Sequence, residues 1–274
     1  MKKIISIQSN VLSDLVGNQA ASLVLGNLGY QVIQIPTIIL SSHKGHKNYI
    51  EIPIKKDTPN IFFQSLKKTI KISKDDIFLV GYIPNTNIGK SVLKIVKNKK
   101  KFVLDPVMGD LDTGAYVSKD VIKFIPNIIN FATHISLNFF EWCTLMKKSM
   151  QNYSLEFLGK DARAYCKKNN KMVFIRSIIR GNKLCNLIAS KNNCFFIETP
   201  NIKFKKRIDG AGDISTALFT HYIFKNYNES KVLELVSNQM FEIIKSLKEN
   251  KISANNLKIK KGKLKYKSKS LNNL

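Results

Sequence analysis

Short apolar runs alternate with stretches of helical spacing along almost the whole chain, and that alternation limits the folds open to it. Residues 3–8 read as a short buried strand. Residues 18–28 follow with helical spacing, small residues at the start and Gly29 as the stop. Residues 31–40 form another strand-like run, interrupted at Pro36. Residues 58–70 read as a helix capped by Thr58, with Pro59 at its first position. The unbroken apolar run 77–80, between Asp76 and Gly81, has the character of a buried parallel strand. Helical spacing at 86–97, 118–125, 138–146, 155–168, 211–224 and 229–248 alternates with strand-like runs at 102–104, 133–137 and 172–175. Residues 182–189 and 194–199 read as a hairpin around 191–193, and 202–208 as one more strand. This rhythm predicts an α/β sandwich with a mainly parallel central sheet flanked by helices. No internal repeat and no Pro-, Gly- or Ser-rich linker divides it, so residues 1–250 read as one domain.

Charge is the next constraint. Lys and Arg total 45 against 19 Asp and Glu, a formal charge of +26. Only Arg163, Arg176, Arg180 and Arg207 are arginines. Nucleic-acid recognition leans on arginine for bidentate contacts, so scattered lysines argue for a solvated basic surface over a nucleic-acid face. Such a field would also draw in an anionic substrate. The segment 251–274 carries eight lysines and no acid, and reads equally as a docked terminal strand or a loose basic tail. No apolar run reaches the ~18 residues of a membrane helix, and the first residues lack a signal-peptide core. Cys143, Cys166, Cys185 and Cys194 have no metal-binding spacing and read as reduced, buried cytosolic thiols.

Ligands of open parallel sheets bind at the carboxyl ends of the strands, so the loops there carry the chemistry. The sharpest is Asp209-Gly210-Ala211-Gly212-Asp213, directly before a helical run. Its glycines let the backbone approach a phosphate, the helix N-terminus adds positive charge, and Asp213 is placed to accept a hydroxyl proton. Alone, this pattern fits a capped helix beside a tight turn equally well. Asp105-Pro106-Val107-Met108-Gly109-Asp110 can address Mg²⁺ with its two acids, or simply turn. Asn138 and Glu141 share the first turn of a helix, as metal-directed groups or as a capping box. Ser9 lies just past the first strand, and Gly17-Asn18-Gln19-Ala20-Ala21 opens the next helix, for a ligand or for tight packing.

Together these residues resemble the pyridoxal kinases of the ribokinase superfamily, over about residues 4–247. The carriers are Ser6-Ile7-Gln8-Ser9 with Gly17-Asn18 and Ala20-Ala21, Ser41-Ser42-His43, Gly81-Tyr82, Asp105 to Asp110 as DPVxGD, Tyr116-Val117, Asn138-x-x-Glu141, and Gly210-x-Gly212-Asp213. The resemblance implies a ribokinase-like three-layer sandwich and ATP-dependent phosphorylation of the 5′-hydroxymethyl group of pyridoxal, in vitamin B6 salvage. It implies Asp213 as general base and the N–H groups of Gly210, Ala211 and Gly212 as anion hole. Ser9, Val16, His43, Lys44 and Tyr82 would face pyridoxal. Asp110, Tyr116, Asn138, Arg176, Ser177, Gly210 and Gly212 would face ATP, with Mg²⁺ near Asp105 and Glu141. A homodimer in the cytoplasm is implied, without membrane or nucleic-acid partner, and a monovalent cation is left open. This chain departs from the family at Lys44, where a substrate-touching threonine is usual. Asn10 replaces a common histidine, Ser136-Leu137 replaces Thr-Pro, Arg176 and Ser177 stand at nucleotide contacts, and the C-terminal segment is shorter and more basic. The rivals are a hydroxymethylpyrimidine kinase of the same superfamily and a non-catalytic binder of pyridoxal phosphate or nucleic acid.

Overall fold

The computed structural model describes residues 2–151, 153–204, 208–249 and 264–272. In chain order the elements are β1 (Lys3–Val11), α1 (Asn18–Asn27), β2 (Gln31–Leu40), β3 (Glu51–Ile52), α2 (Thr58–Thr69), β4 (Ile77–Val80), α3 (Thr86–Val96), β5 (Phe102–Leu104), β6 (Gly109–Asp110), β7 (Gly114–Ala115), α4 (Lys119–Ile129), β8 (His134–Asn138), α5 (Phe139–Met146), α6 (Leu155–Asn169), β9 (Met172–Arg180), β10 (Lys183–Ala189), β11 (Cys194–Pro200), α7 (Ala211–Ile223), α8 (Glu229–Lys248) and β12 (Lys269–Ser270). Among the described residues ten strands form one sheet, in the order β12-β11-β10-β9-β8-β5-β4-β1-β2-β3. The run from β9 to β2 is parallel throughout. Antiparallel strands close both ends, and β6 and β7 form a separate hairpin.

Strand side chains alternate between faces, and here the alternation builds two cores. Ile5, Ile7, Phe78, Val80, Phe102 and Leu104 pack with residues of α2 to α6 on one face. Their neighbours Ile4, Ile77, Leu79 and Val103 pack with α1, α7 and α8 on the other. These strands are buried on both sides, which is why they read as unbroken apolar runs. The three-layer α/β sandwich expected from the sequence is the fold observed.

Three local expectations need correction. Helix α2 is capped by Asp57, not Thr58, and without a side-chain hydrogen bond to the helix. The Asp57 carboxylate is instead taken by Lys94 Nζ at 3.1 Å. Strand β2 runs through Pro36 without a break. The pairing slips there, with Gln8 opposite Pro36 and Asn10 opposite Ile39, and such a bulge tolerates a missing N–H. The strand expected at 202–208 is not present at 202–204 or 208, and 205–207 lie outside the described residues. The edge of β11 is already taken by β12, and Leu271 donates to the Cys194 carbonyl at 2.8 Å. Part of the basic C-terminal segment therefore docks, while 251–263 and 273–274 lie outside the described residues.

Candidate active site

Because β1, β4, β5, β8 and β9 are parallel, their carboxyl ends open on one edge of the sheet. After β5 the chain turns at Asp105, whose N–H donates to the Val80 carbonyl at 2.8 Å. It then enters the β6–β7 hairpin. Asp110 Oδ1 accepts from the N–H groups of Asp112 and Thr113 and from the Thr113 hydroxyl, so it shapes this turn.

Asn138 and Glu141 form a reciprocal capping box on α5, and the box also reaches across to the β5–β6 loop. Glu141 Oε2 accepts from Asn138 N–H at 2.8 Å and Oε1 from Met108 N–H at 3.0 Å. Asn138 Nδ2 donates to the Gly109 carbonyl at 2.8 Å. Glu141 is fully enclosed. Burial pushes its carboxyl up to about 8, the Asp105 charge adds to this, and Arg176 opposes it.

Helix α7 starts from Gly210, in the left-handed region at φ +81°. A Cβ there would lie 1.9 Å from the Leu15 carbonyl oxygen, so both backbone angle and space require glycine. At Gly212 a Cβ would lie 3.0 Å from Arg176 Nη2. Asp213 follows in the first helical turn and accepts a backbone hydrogen bond from Gly17. Exclusion of water pushes the Asp213 carboxyl up to about 6, with a further push from Asp105, against the pull of that hydrogen bond and of Arg176.

Beneath this loop lies a buried polar network. Arg176 Nη2 donates to both Asp105 oxygens, at 3.1 and 2.9 Å, and Nη1 donates to Ser136 Oγ at 3.0 Å. The Thr216 hydroxyl donates to Asp105 Oδ2. Its single proton is then used, so the 2.8 Å contact with Ser136 must have Ser136 as donor. Burial works against the Arg176 charge, and the carboxylates of Asp105 and Glu141 outweigh it, so the guanidinium holds its proton more firmly than usual. Thr216 was not singled out in the sequence. Its signal was available, three residues after Asp213 and so on the same helical face.

The opposite wall comes from β1, β2 and the loops beyond them. Ser9 is buried and packs against Gly17, where a Cβ would fall 2.5 Å from Ser9 Oγ. Val16 clusters with Val11, Ile38 and Leu40, and Tyr82 packs on that cluster. Lys44 Nζ pairs with Glu51 Oε2 at 2.6 Å and lies 5.8 Å from the centre of the Tyr82 ring. His43 Nδ1 lies 3.7 Å from Asp209 Oδ2, immediately before Gly210. The Gly210–Asp213 turn thus touches Leu15 and Val16 on one side and Arg176 on the other. Tyr116 stands within the field of these acids; the residue is 45% exposed, yet its phenol is raised by local loss of water and by the charges of Glu141, Asp105, Asp213 and Asp110. Ser177 follows Arg176 on β9. It sits at φ +63° in a bulge of β9, with its N–H on Asn186 Oδ1 of β10.

The arrangement sets a glycine-flanked helix N-terminus, whose N–H groups favour an anion, beside a carboxyl pushed up to about 6 and two enclosed acids. Among the described residues no group of three or more His, Cys, Asp or Glu could hold a metal ion by itself. Asp105 and Glu141, with their oxygens already hydrogen-bonded, fit a Mg²⁺ carried in on nucleotide phosphates and met through water, since that ion keeps most of its waters.

A family model described as phosphomethylpyrimidine kinase matches residues 47–255. A pyridoxal kinase PdxY of Photobacterium profundum is 23% identical over 259 residues, covering 89% of this chain and 87% of that protein. The crystal structure of pyridoxal kinase from Entamoeba histolytica superposes with a TM-score of 0.84 at 22% identity, over 98% of this chain and 99% of that one. A Plasmodium falciparum PdxK with ligands AMP-PNP and PL superposes with a TM-score of 0.80 at 22% identity, over 98% of each chain.

Proposed function

The chain belongs to the phosphomethylpyrimidine kinase family, and on that footing we propose that it is a pyridoxal kinase, moving the γ-phosphoryl group of ATP to the 5′-hydroxymethyl oxygen of pyridoxal. The observation that carries the chemistry is the Gly210–Asp213 turn, clamped between the Val16 wall and the Arg176–Asp105 network. Similarity to pyridoxal kinases over almost the full chain length supports the choice of substrate.

Asp213 takes the proton of the 5′-hydroxyl as that oxygen attacks the γ-phosphorus, and ADP leaves. A carboxylate pushed up to about 6 is basic enough to help and still ionised at neutral pH. The N–H groups of Gly210, Ala211 and Gly212 hold the transferring phosphoryl group. Ser9, Val16, His43, Lys44 and Tyr82 line the pyridoxal side. Asp110, Tyr116, Asn138, Arg176 and Ser177 belong to the nucleotide side. Asp105 and Glu141 would meet Mg²⁺ through its water shell, and the ion would neutralise charge on the phosphates. Residues 1–250 form the kinase unit with 251–274 as its basic C-terminal segment, acting as a homodimer in the cytoplasm. Among the described residues no helix is long and apolar enough to cross a membrane.

The family match favours one second reading, a hydroxymethylpyrimidine kinase using the same apparatus. Parallel turnover assays with pyridoxal, pyridoxine and hydroxymethylpyrimidine under Mg²⁺ and ATP separate the two. Pyridoxal is expected to give the highest kcat/KM, and a clear preference for the pyrimidine overturns the proposal.

A further inference from the structure

Arg176 stands out because it is a buried cation among acids. Its side chain is 8% exposed and its partner Asp105 2%. Both Asp105 oxygens are engaged by Arg176, and Oδ2 also by Thr216. An Asp105 so occupied cannot take a metal directly without breaking a buried ion pair, which is costly. The same guanidinium borders Gly212, in the turn assigned to the phosphoryl group: a Cβ there would fall 3.0 Å from Nη2. A side chain at Gly212 would therefore push on Arg176 as well as on a phosphate. Charge explains why such a group belongs there. A nucleotide polyphosphate entering beside Asp105 and Asp213 meets like charge, and a fixed positive charge offsets it at close range.

We propose that Arg176 is the built-in counter-charge of the nucleotide site: anchored by Asp105 and Ser136 and seated under Gly212, it acts as a positioning residue that admits the nucleotide's phosphates among the carboxylates. The inference rests on the kinase reading and deepens it. Asp105 serves Arg176 first and reaches Mg²⁺ only through water. Arg176 acts through the loop and through its charge, without needing to touch the phosphates.

Two substitutions in the full-length protein separate charge from shape. Arg176→Gln keeps hydrogen-bonding arms and loses the charge, and Arg176→Lys keeps the charge and loses the fork. Titration calorimetry with Mg·ADP reads nucleotide affinity without turnover, and pyridoxal KM is read at saturating ATP. The expected result is a loss of Mg·ADP affinity of about tenfold or more in Arg176→Gln, with Arg176→Lys within about threefold of the parent, the scale of one charge-assisted contact. Pyridoxal KM should move by less than about twofold in the lysine variant, since Arg176 lies on the nucleotide side. Unchanged Mg·ADP affinity in Arg176→Gln overturns the proposal. So does an equal loss in both variants, or a rise of pyridoxal KM parallel to the loss of nucleotide affinity, because each marks a purely structural staple. Failure of the parent protein to phosphorylate pyridoxal overturns the substrate reading and leaves the nucleotide arm intact as a test of Arg176.

Discussion

Asp213→Asn is expected to make the protein more stable and far less active. The Asp213 carboxyl is pushed from 3.8 up to about 6 by exclusion of water and by Asp105. An acid raised in the folded state binds its proton more tightly there than in the unfolded chain. Stability therefore falls as pH rises from about 4 to about 6, and the full cost is present above that. A shift of roughly two units corresponds to about 3 kcal/mol. Asp213 keeps some solvent contact, which screens the field, so about 1–3 kcal/mol is the working range. Asparagine has the same shape and still accepts the Gly17 hydrogen bond, so it removes the charge without opening a cavity. Thermal unfolding at pH 8 should show Tm higher by about 2–10 °C. The gain should shrink to roughly half at pH 5, where the folded parent is already largely protonated. Turnover with pyridoxal should fall by about 10²–10⁴, the scale of losing a general base, and the acid limb of kcat should lose its midpoint near 6. A variant that is less stable at pH 8, or equally affected at pH 5 and 8, refutes the electrostatic account. Wild-type turnover refutes the assignment of the base.

Two further outcomes follow from local geometry. Gly210→Ala meets both a positive φ and the Leu15 carbonyl, whereas Gly29→Ala meets a positive φ of +85° with open space around it. The first should cost more than about 2 kcal/mol and most of the activity, the second about 1 kcal/mol and none of the activity, and equal losses would contradict the packing argument. Asn85 accepts from Ile88 N–H at the start of α3, while Asp57 makes no such bond to α2. Asn85→Ala should cost about 1 kcal/mol in denaturant unfolding and Asp57→Ala under about 0.5 kcal/mol, with the reverse order counting against the capping assignment.

Particular elements show where sequence reading succeeds. The bounds of β4, β5 and α8 were legible because a strand buried on both faces has nothing but apolar residues, and a long amphipathic helix repeats its pattern. Thr58 failed as a cap because Asp57 came to rest one residue earlier, held by Lys94 from another helix. The single-turn pairings of β3, β6, β7 and β12 carry no period of their own and depend on a neighbouring edge.

The candidate site divides in the same way. The glycines and acids of its loops are local necessities: a turn needs its φ, a helix N-terminus favours its acid, and both leave a mark within four or five residues. Sequence alone therefore determined the α/β alternation, the strand-end loops and the family resemblance. Tertiary structure decided what those acids face. Asp105 and Arg176 are 71 residues apart, and Thr216 reaches Asp105 across 111. Only the parallel order of β5, β8 and β9 under α7 brings them together. Electrostatics and hydrogen bonding act through space, so the partner that sets a carboxylate's charge leaves no trace in the residues beside it.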